Sequence, residues 1–496
     1  MTNQTDVLIS GAGAAGLTLA IDLARRGVRF RLIEKMDKPF AGSRGKGIQP
    51  RTQEIFEDLG ILDRLAAIGD EYPPQREHRA DGTHRDSPMM EHRDPSPDEP
   101  YRNPLMVPQA MTEAVMRERL AELGGKVEFG CELVGFAQGE GGVSCRIRTA
   151  SGEETVRARY LIGTDGGRSF VRAALGVDFP GNTLGIRAVV ADLLLEGLPR
   201  DAWHRFNEGS MADQISLCPL AGTDLFQLQA PVPLEGEIDL SLAGLAAMIA
   251  ERSKRKDVVV REVLWASAYQ MNARLADCYR VDRVFLAGDA AHIHPPTGGQ
   301  GLNTSVQDSY NLGWKLAAVL AGVPDALLDT YEEERRPIAA EMLGLSTKLL
   351  EASKRGDMQR GREVHQLDLG YFDSSLSLNG APREIGISAG DRAPDAPIRG
   401  AGGQSSRLFE LFRGPHWTLL GYNTQGDALP VRANLHIHRI GAEFDDMAGH
   451  MAATYGVRDG DWVLVRPDGY VGGIVSGEDL TMLERYLAGV GLSRLC

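Results

Sequence analysis

A glycine-rich turn between a short apolar strand and a helical segment constrains this chain more than any other feature. The predicted strand, Asp6 to Ser10, runs into a GxGxxG motif from Gly11 to Gly16. Residues 17–26 carry apolar side chains at helical spacing, and a second apolar run, residues 30–33, ends in Glu34. Strand, glycine turn, helix and strand in this order predict a parallel βαβ unit that binds a dinucleotide.

Each glycine of the motif has a physical task in this interpretation. Gly11 allows the tight turn, Gly13 lets a pyrophosphate approach the backbone, and Gly16 lets the helix pack closely on the strand. The free N–H groups at the start of the helix attract the phosphates. Glu34 can accept hydrogen bonds from an unphosphorylated ribose, which favours FAD or NAD over NADP. A glycine-rich turn in another kind of α/β protein is the alternative.

A second cluster favours FAD over NAD. An apolar strand ends at Gly288 and Asp289, and a loop rich in glycine and proline follows as far as Asn303. Residues 304–321 then have the apolar spacing of a helix. A carboxylate at a strand end suits a ribityl chain. The helix start beside it suits an electron-rich ring, because the helix dipole stabilises negative charge on a reduced flavin.

Three fingerprints in this order resemble the single-component FAD-dependent aromatic hydroxylases. They are the GxGxxG motif with Glu34, the Asp-Gly segment from Tyr160 to Arg172, and the loop from Gly288 to Asn303. The family is typified by p-hydroxybenzoate hydroxylase and phenol 2-monooxygenase, and the chain is most similar to its actinomycete polyketide and antibiotic hydroxylases. The likeness continues through residues 307–315 and 331–337 and covers essentially the whole chain.

The resemblance implies site residues position by position. It implies cofactor binding by Gly11, Gly13, Ala14, Ala15, Gly16, Glu34, Lys35, Arg44, Gln109, Asp165, Asp289, Gly301, Leu302 and Asn303. Within that set Arg44 would reach the FAD phosphates, and Gln109 and Asp289 would lie near the ribityl chain. Pro295 and Pro296 would lie near the reacting carbon of the ring, with no protein nucleophile expected.

The nicotinamide is expected to bind transiently, because only one GxGxxG motif is present. The resemblance implies roles for Asp165, Arg168 and Arg172 in this step. A structural helix cap and salt bridge formed by Asp165 and Arg172 is an equally good interpretation. His292 with His294, and His436 with His438, are interpreted as packing or surface residues, so no metal site is expected. No substrate-binding residue is predicted.

The predicted fold is α/β, with a Rossmann-like FAD-binding domain, an inserted antiparallel-sheet substrate domain and a thioredoxin-like C-terminal domain. Residues 1–72, 101–180 and 276–390 would form the first, residues 73–100 and 181–275 the second, and residues 391–496 the third. Alternation places Gln227 and Gln229 on one strand face opposite Phe226 and Leu228. The simplest expectation puts such polar faces in solvent. Without a CxxC pair, the third domain is not expected to act as a thiol redox module.

The implied reaction is monooxygenation of a phenolic or polyketide-type aromatic compound by NAD(P)H and dioxygen, through a flavin 4a-hydroperoxide. A Baeyer–Villiger or antibiotic-inactivating monooxygenase on the same fold stays open as an alternative, as does a non-catalytic FAD-binding protein. A flavin halogenase is disfavoured, since no Trp-x-Trp-x-Ile-Pro segment is present.

Composition excludes several other classes of function. The chain has 496 residues and a net charge of −14, which argues against nucleic-acid binding. Five cysteines without a CxxC pair favour a reducing cytoplasm. No apolar run is long enough to span a membrane, and the first residues lack the basic start of a signal peptide. A homodimer is left open.

Overall fold

The computed structural model describes residues 4–207, 212–354, 359–378, 385–425 and 430–492. These residues form three large sheets with helices packed on them. The strands, in chain order, are β1 (Gln4–Ser10), β2 (Phe30–Glu34), β3 (Gly47–Ile48), β4 (Asp70–Glu71), β5 (Gln75–His78), β6 (His84–Ser87), β7 (Leu105–Met106), β8 (Val127–Phe129), β9 (Glu132–Gly139), β10 (Gly142–Thr149), β11 (Gly152–Gly163), β12 (Gly181–Glu196), β13 (Trp203–Phe206), β14 (Ile215–Pro219), β15 (Leu225–Val232), β16 (Val259–Leu275), β17 (Arg280–Val281), β18 (Val284–Leu286), β19 (His292–Ile293), β20 (Pro397–Gly400), β21 (Ser405–Arg407), β22 (Trp417–Tyr422), β23 (Leu435–Ile440), β24 (Phe444–Asp446), β25 (Trp462–Val465) and β26 (Val471–Val475).

The helices pack against the sheets, and the third sheet carries them on both of its faces. They are α1 (Ala14–Arg25), α2 (Pro50–Asp58), α3 (Leu62–Ile68), α4 (Gln109–Glu122), α5 (Phe170–Leu175), α6 (Leu242–Ser253), α7 (Gln300–Leu320), α8 (Asp329–Lys354), α9 (Leu408–Phe412), α10 (His450–Tyr455) and α11 (Leu480–Gly489). Among the described residues, no helix has both the length and the apolar character needed to cross a bilayer.

The first sheet is built around a parallel core. Its strand order is β17-β18-β11-β1-β2-β8, and β1 lies parallel to both β11 and β2. The antiparallel strands β9 and β10 extend from β11. Because parallel strands end at the same edge, the glycine turn after β1, Glu34 at the end of β2 and Asp289 after β18 meet there. The predicted Rossmann-like βαβ unit is confirmed.

The second sheet is mostly antiparallel, in the order β19-β16-β12-β15-β14-β13-β5-β6. Strands β5 and β6 form a hairpin that joins this sheet through β13, so part of the segment 73–100 lies in the second sheet. Helix α6 covers the outer face with Leu245 and Ile249. The strand β19 pairs with β16 and ties the sheet to the loop after Asp289.

The third sheet has the order β21-β20-β24-β23-β22-β25-β26. A parallel pair, β22 and β23, lies beside the antiparallel hairpin β25-β26, and α11 follows it. This mixed pattern is the one expected of a thioredoxin-like domain. Its Trp417 and Trp462 join the same apolar core as the first sheet, so the two parts pack as one body. The residue limits of the three domains, the cytoplasmic location and the homodimer stay predictions.

A buried charge network fastens the third sheet to the helices of the first. Glu334 on α8 accepts hydrogen bonds from Lys315 on α7 (2.6 Å) and from Arg466 beyond β25 (2.6 and 2.8 Å). Asp468 accepts from Arg466 and from the Trp314 indole. These charged groups are almost fully buried, so the segments 311–315 and 331–337 of the family resemblance form a contact between domains.

Candidate flavin site

The glycine turn is shaped by steric exclusion at two positions and by free space at a third. Gly11 has a φ of +109°, and a Cβ there would lie 2.4 Å from the carbonyl oxygen of Thr164. A Cβ on Gly16 would lie 2.0 Å from the carbonyl oxygen of Gly11. A Cβ on Gly13 would meet only the Glu113 carboxylate, at 3.9 Å. The protein itself therefore requires glycine at 11 and 16, whereas Gly13 leaves room for something outside the chain.

Glu34 holds the turn as well as facing the strand edge. Its carboxylate accepts hydrogen bonds from the backbone N–H groups of Ala12 (2.9 Å) and Met36 (3.0 Å). Lys35 is exposed beside it. The helix α1 begins at Ala14, earlier than the sequence predicted, so Ala14, Ala15 and Gly16 form its first turn, where N–H groups have no partner within the helix.

Asp289 lies in one turn of 3-10 helix beside the glycine turn. Gly288 has a φ of +62°, and a Cβ there would lie 3.1 Å from the Cβ of Ala15. The Asp289 side chain is accessible in the cleft and has no hydrogen-bond partner among the described residues. The surrounding protein raises the pKa of its carboxyl group, which His292 and Arg44 counter only in part. An unpartnered carboxylate of this kind is suited to accept hydrogen bonds from a polyol.

The loop after Asp289 ends in an open helix start. Gly298 and Gly299 have positive φ values of +83° and +65°, and α7 begins immediately afterwards at Gln300, four residues earlier than predicted. The segment from Gly301 to Asn303 therefore occupies the first helical turn, where N–H groups have no partner within the helix. A Cβ on Gly301 would meet no atom within 4 Å.

The polar and apolar side chains of this loop differ in what they contact. Asn303 accepts a hydrogen bond from the N–H of Gln49 (2.8 Å) and donates to the carbonyl of Gly47 (3.0 Å), which fixes the helix start. Leu302 lies near Gly45, with its Cδ1 3.9 Å from a Cβ built there. Pro295 is buried and Pro296 is exposed.

A loop opposite the glycine turn carries Arg44. Its guanidinium lies 4.5 Å from the ring of Phe40 and has no ion pair among the described residues. Gln109, the first residue of α4, accepts a hydrogen bond from the N–H of Gly45 (3.1 Å). The amide of Gln109 donates in turn to Glu113 (2.8 Å). Gln109 therefore places the loop rather than leaving its amide free.

The Asp-Gly segment combines a cap with an exposed cation. The Asp165 carboxylate accepts hydrogen bonds from the Ser169 hydroxyl (2.5 Å) and the N–H of Val171 (3.1 Å) at the start of α5. Arg172 donates to the carbonyls of Ala290 and Gly167 rather than to Asp165. The cap is present, whereas the expected salt bridge is absent between these two described residues. Arg168 is exposed.

The histidines singled out in the sequence lie in two separate places. His292 is buried, and its ring contacts Asp308 (2.7 Å) and His294 (3.0 Å). Burial opposes ionisation of Asp308, but His292 and Arg335 outweigh it and hold the pKa of this carboxyl group below its usual value. His436 and His438 share one face of β23, where His436 stacks on His416. No group of three potential metal ligands occurs within the described ranges.

The polar face of the second sheet corrects one expectation. Gln227 is 1% exposed and bonds the backbone carbonyl of Ser43 and the ammonium of Lys46. Phe226 and Leu228 instead pack beneath α6. The expectation of a polar face in solvent was wrong, because α6 supplies the apolar cover on the outer side. The polar face is turned toward the loop that carries Arg44 and forms a roof over the cleft.

Strand register identifies the other residues of this roof. Asp192 pairs with Gln227 and Trp265, and Trp265 packs edge-on against Phe40. Two and four residues further along β16, the same face presents Ser267 and Tyr269. The sequence analysis missed Asp192, Trp265, Tyr269 and Glu113. Period-two alternation could have grouped the strand residues, but no local signal places Glu113 beside Gly13.

The residues present fit FAD. Two helix starts, on α1 and α7, have no capping side chain from the N-cap residue, and glycine leaves room at both. The guanidinium of Arg44 and the carboxylate of Asp289 have no hydrogen-bond partner in the described part of the chain. A diphosphate, a polyol and an electron-rich ring match these donors, this acceptor and these spaces. Fold and site together define a flavoprotein with a separate roof over its ring-binding loop.

Comparison with known proteins agrees with that class. The family described as FAD binding domain matches residues 4–346, and the family described as aromatic-ring hydroxylase, C-terminal, matches residues 387–490. The chain belongs to this family of FAD-dependent aromatic-ring hydroxylases, and FAD is its cofactor.

Three relatives represent the matches. A flavin-dependent monooxygenase of Mycobacteroides abscessus is 42% identical over 490 residues, covering 98% of this chain and 99% of the relative. A rifampicin monooxygenase of Streptomyces venezuelae is 33% identical and covers 96% of each. The crystal structure of aklavinone-11 hydroxylase with FAD and aklavinone has a TM-score of 0.80 at 26% identity, covering 98% of this chain and 100% of that one. The chain is a flavin-dependent monooxygenase.

Proposed function

We propose that this monooxygenase hydroxylates a multi-ring phenolic compound of the aromatic polyketide type, with NAD(P)H as the transient reductant. The single observation that carries the substrate class is the polar roof above the flavin loop. In support, the similar aklavinone-11 hydroxylase forms a ternary complex with FAD and aklavinone. A flat aromatic compound with oxygen atoms along one edge matches a polar roof of this kind.

The cofactor would be held by the groups already described. The first turn of α1 would bind the pyrophosphate, with Gly13 giving access and Arg44 adding positive charge. Glu34 would accept from the adenosine ribose and Asp289 from the ribityl chain. The helix start at Gly301 to Asn303 would face the ring, where its dipole stabilises negative charge. When bound, FAD supplies electron transfer from the nicotinamide and activation of dioxygen.

The roof would position the substrate and exclude water. Tyr269 lies on the inner face, and burial raises the pKa of its phenol to about 12, so it remains a hydrogen-bond donor at neutral pH. Its hydroxyl has no partner among the described residues, and the Oγ atoms of Ser216 and Ser267 likewise have none. Gln229 donates to Gln227 at 2.8 Å, which leaves the carbonyl oxygen of its amide free to accept. These groups would bind phenol and carbonyl oxygens of the substrate.

Arg168 and Asp165 are proposed to contact the nicotinamide while it transfers its hydride. Arg168 is exposed next to the cap that Asp165 provides, so it can reach a diphosphate without disturbing α5. Arg172 is buried and bonded to two carbonyls. We therefore propose that Arg172 shapes this surface and that Arg168 binds the dinucleotide.

Anaerobic flavin reduction tests the proposal. The holoenzyme is mixed with NADH or NADPH, with and without polycyclic phenols or single-ring phenols, and loss of flavin absorbance is timed. The proposal expects strong acceleration by the polycyclic class and, in air, a product with one added oxygen and the ring skeleton intact. An inserted ring oxygen would support the Baeyer–Villiger alternative, and rapid reduction without any aromatic compound would contradict the proposal.

A matched pair of variants tests the roof. Tyr269→Phe removes one hydroxyl from the roof and should weaken binding of the accelerating phenol several-fold, as measured by the change in the flavin spectrum. Tyr422→Phe makes the same change in the third sheet, where the hydroxyl bonds Asp446 (3.3 Å), and should leave that binding unchanged. Equal affinity in both variants would remove Tyr269 from the substrate site.

A further inference from the structure

A buried carboxylate occupies the entrance to the phosphate-binding turn. Glu113 on α4 is 4% exposed, and its Oε1 lies 3.9 Å from a Cβ built on Gly13. The carboxylate accepts a hydrogen bond from the Gln109 amide (2.8 Å), and the backbone N–H of Ala14 in the first turn of α1 favours its ionised form. A negative charge at this point lies beside the place where the proposed function puts a second, stronger anion.

The hydrogen bonds around Glu113 are compatible with either protonation state of its carboxyl group. Gln109 donates from its Nε2 to Glu113 and accepts at its Oε1 from the N–H of Gly45. Glu113 thereby fixes which way the Gln109 amide points, and through it the loop that carries Arg44. The Gln109 amide needs only an oxygen acceptor on residue 113. A neutral carboxylic acid keeps this acceptor and can also donate its own proton to a phosphate oxygen.

The charged surroundings of Glu113 are few. Arg117 on the same helix and Arg44 on the opposite loop face it, and both favour its ionised form. Burial outweighs these cations and raises the pKa of the carboxyl group above its ordinary value. On α3, Arg64 pairs with Glu122 at the far end of α4, and on α1 Asp22 pairs with Arg25 and Arg26. Arrival of a diphosphate would oppose the ionised form further.

We propose that Glu113 takes up a proton when FAD binds, so that the pyrophosphate meets a neutral carboxylic acid at the glycine turn. The proton comes from solvent and ends on the Glu113 carboxylate, and no bond of the cofactor changes. This inference rests on the proposed placement of the pyrophosphate at α1. It makes the affinity of the apoprotein for FAD fall as the pH rises through the range in which free Glu113 ionises.

Titration of the apoprotein with FAD tests this linkage without using enzyme activity. The dissociation constant is measured by quenching of flavin fluorescence at a series of pH values from mildly acidic to mildly alkaline. The diphosphate keeps its charge over this range. The wild-type chain should lose up to tenfold in affinity per pH unit on the alkaline side, the limit for one linked proton. Glu113→Gln should remove the part of that slope that Glu113 causes and bind FAD at least as tightly at the alkaline end.

Two controls distinguish a failure of this inference from a failure of the proposed function. Glu34→Gln should weaken FAD binding at every pH, because it removes charge at the ribose and one acceptor from the glycine turn, and it should keep the wild-type slope because Glu113 is unchanged. Asp289 is a second carboxyl group in the cleft, but its contribution is common to the wild-type chain and Glu113→Gln and cancels between them. Equal slopes in these two proteins would overturn the role of Glu113. Failure of the wild-type apoprotein to bind FAD would instead overturn the proposed function.

Calorimetry of the wild-type chain keeps the inference testable if Glu113→Gln does not fold. FAD is titrated into the apoprotein in two buffers with different heats of ionisation, and the difference gives the protons taken up. Uptake approaching one proton per FAD on the alkaline side supports the inference. Zero uptake, or release, contradicts it.

Discussion

The carboxylate of Asp192 accepts a hydrogen bond of 2.7 Å from the backbone N–H of Ser43, and this pair joins the roof to the loop that carries Arg44. Gln227 bonds the carbonyl of the same residue, so both polar groups of the Ser43 peptide backbone are held by one sheet. Burial raises the pKa of the Asp192 carboxyl group. The position of Arg44 at the cleft therefore depends on residues about 150 positions away in the chain.

Asp192→Ala should release this loop. The buried N–H of Ser43 loses its acceptor, which costs about 1–3 kcal/mol of unfolding free energy. Chemical denaturation measures that loss, and limited proteolysis should cut within residues 40–46. Asp192→Asn is the matched control, since its amide oxygen can still accept from Ser43, and it should stay close to the wild-type stability. Equal losses in both variants would show that charge, rather than the hydrogen bond, holds the loop.

Gly13→Ala should fold normally and bind FAD poorly. Gly13 has an ordinary φ of −76°, and its added Cβ meets only one carboxylate oxygen, at 3.9 Å. The methyl group instead fills the space proposed for the pyrophosphate. Gly16→Ala is the contrasting variant, because its Cβ would lie 2.0 Å from a backbone oxygen and the turn must distort. Thermal unfolding of the apoproteins and their flavin content distinguish the two. Full flavin content in Gly13→Ala would place the pyrophosphate elsewhere.

Asp289→Ala should reduce FAD affinity about tenfold to a hundredfold, the effect of losing charge-assisted hydrogen bonds worth about 1.5–3 kcal/mol. Asp289→Asn keeps one acceptor oxygen and should retain intermediate affinity. Asp277→Ala removes an exposed carboxylate from the surface and should leave flavin binding unchanged. Flavin retention during dialysis, compared across the three variants, is the measurement. Wild-type retention by Asp289→Ala would contradict the ribityl assignment.

Glu334→Gln should destabilise the protein by about 3–5 kcal/mol, because the buried Lys315 loses its carboxylate partner and the buried Arg466 keeps only Asp468. Burial opposes ionisation of Glu334, but these two cations outweigh it and hold the pKa of the carboxyl group well below its usual value. The stabilising effect of Glu334 is therefore fully present above its pKa in the unfolded chain. It is lost as the pH falls from that value toward the lower pKa of the folded chain. Glu341→Gln, on an exposed face of the same helix, should change the unfolding free energy by less than about 0.5 kcal/mol.

His78 should add to the loss of stability in mild acid. Burial, together with the neighbouring His204, lowers the pKa of His78 from 6.5 to about 4. The folded chain then binds this proton less tightly than the unfolded chain, so stability is full above pH 6.5 and falls between pH 6.5 and 4. Because the ring is half-buried, the loss is about 1 kcal/mol after allowance for solvent screening.

His78→Gln provides the comparison for this effect. Unfolding free energies of the wild-type chain and His78→Gln are measured by denaturant titration at neutral pH and near pH 5. The difference between the two proteins should shift in favour of the variant at the lower pH. A difference that is independent of pH would show that His78 does not titrate in this range.

The residues at the cofactor-binding edge of the first sheet could be predicted from local features of the sequence. The glycine turn after β1, Glu34 after β2 and Asp289 after β18 were each marked by a strand ending in a characteristic residue, and parallel strands bring such ends together. The starts of α1 and α7 were predicted three and four residues late, at Leu17 and Thr304 rather than Ala14 and Gln300. The reason is that left-handed or extended glycines act as caps without a side-chain signal.

Tertiary structure alone decided what surrounds that edge. Alternation placed Gln227 and Gln229 on one strand face, but only the position of α6 showed that this face meets the cleft. The sequence marked residues 311–315 and 331–337, yet their contact with Arg466 and Asp468 depends on how the third sheet packs. Glu113 lies about 100 positions from Gly13 and carries no motif. Strand ends and glycine turns are set by short-range sterics, whereas faces and buried ion pairs are chosen by which distant surfaces exclude water together.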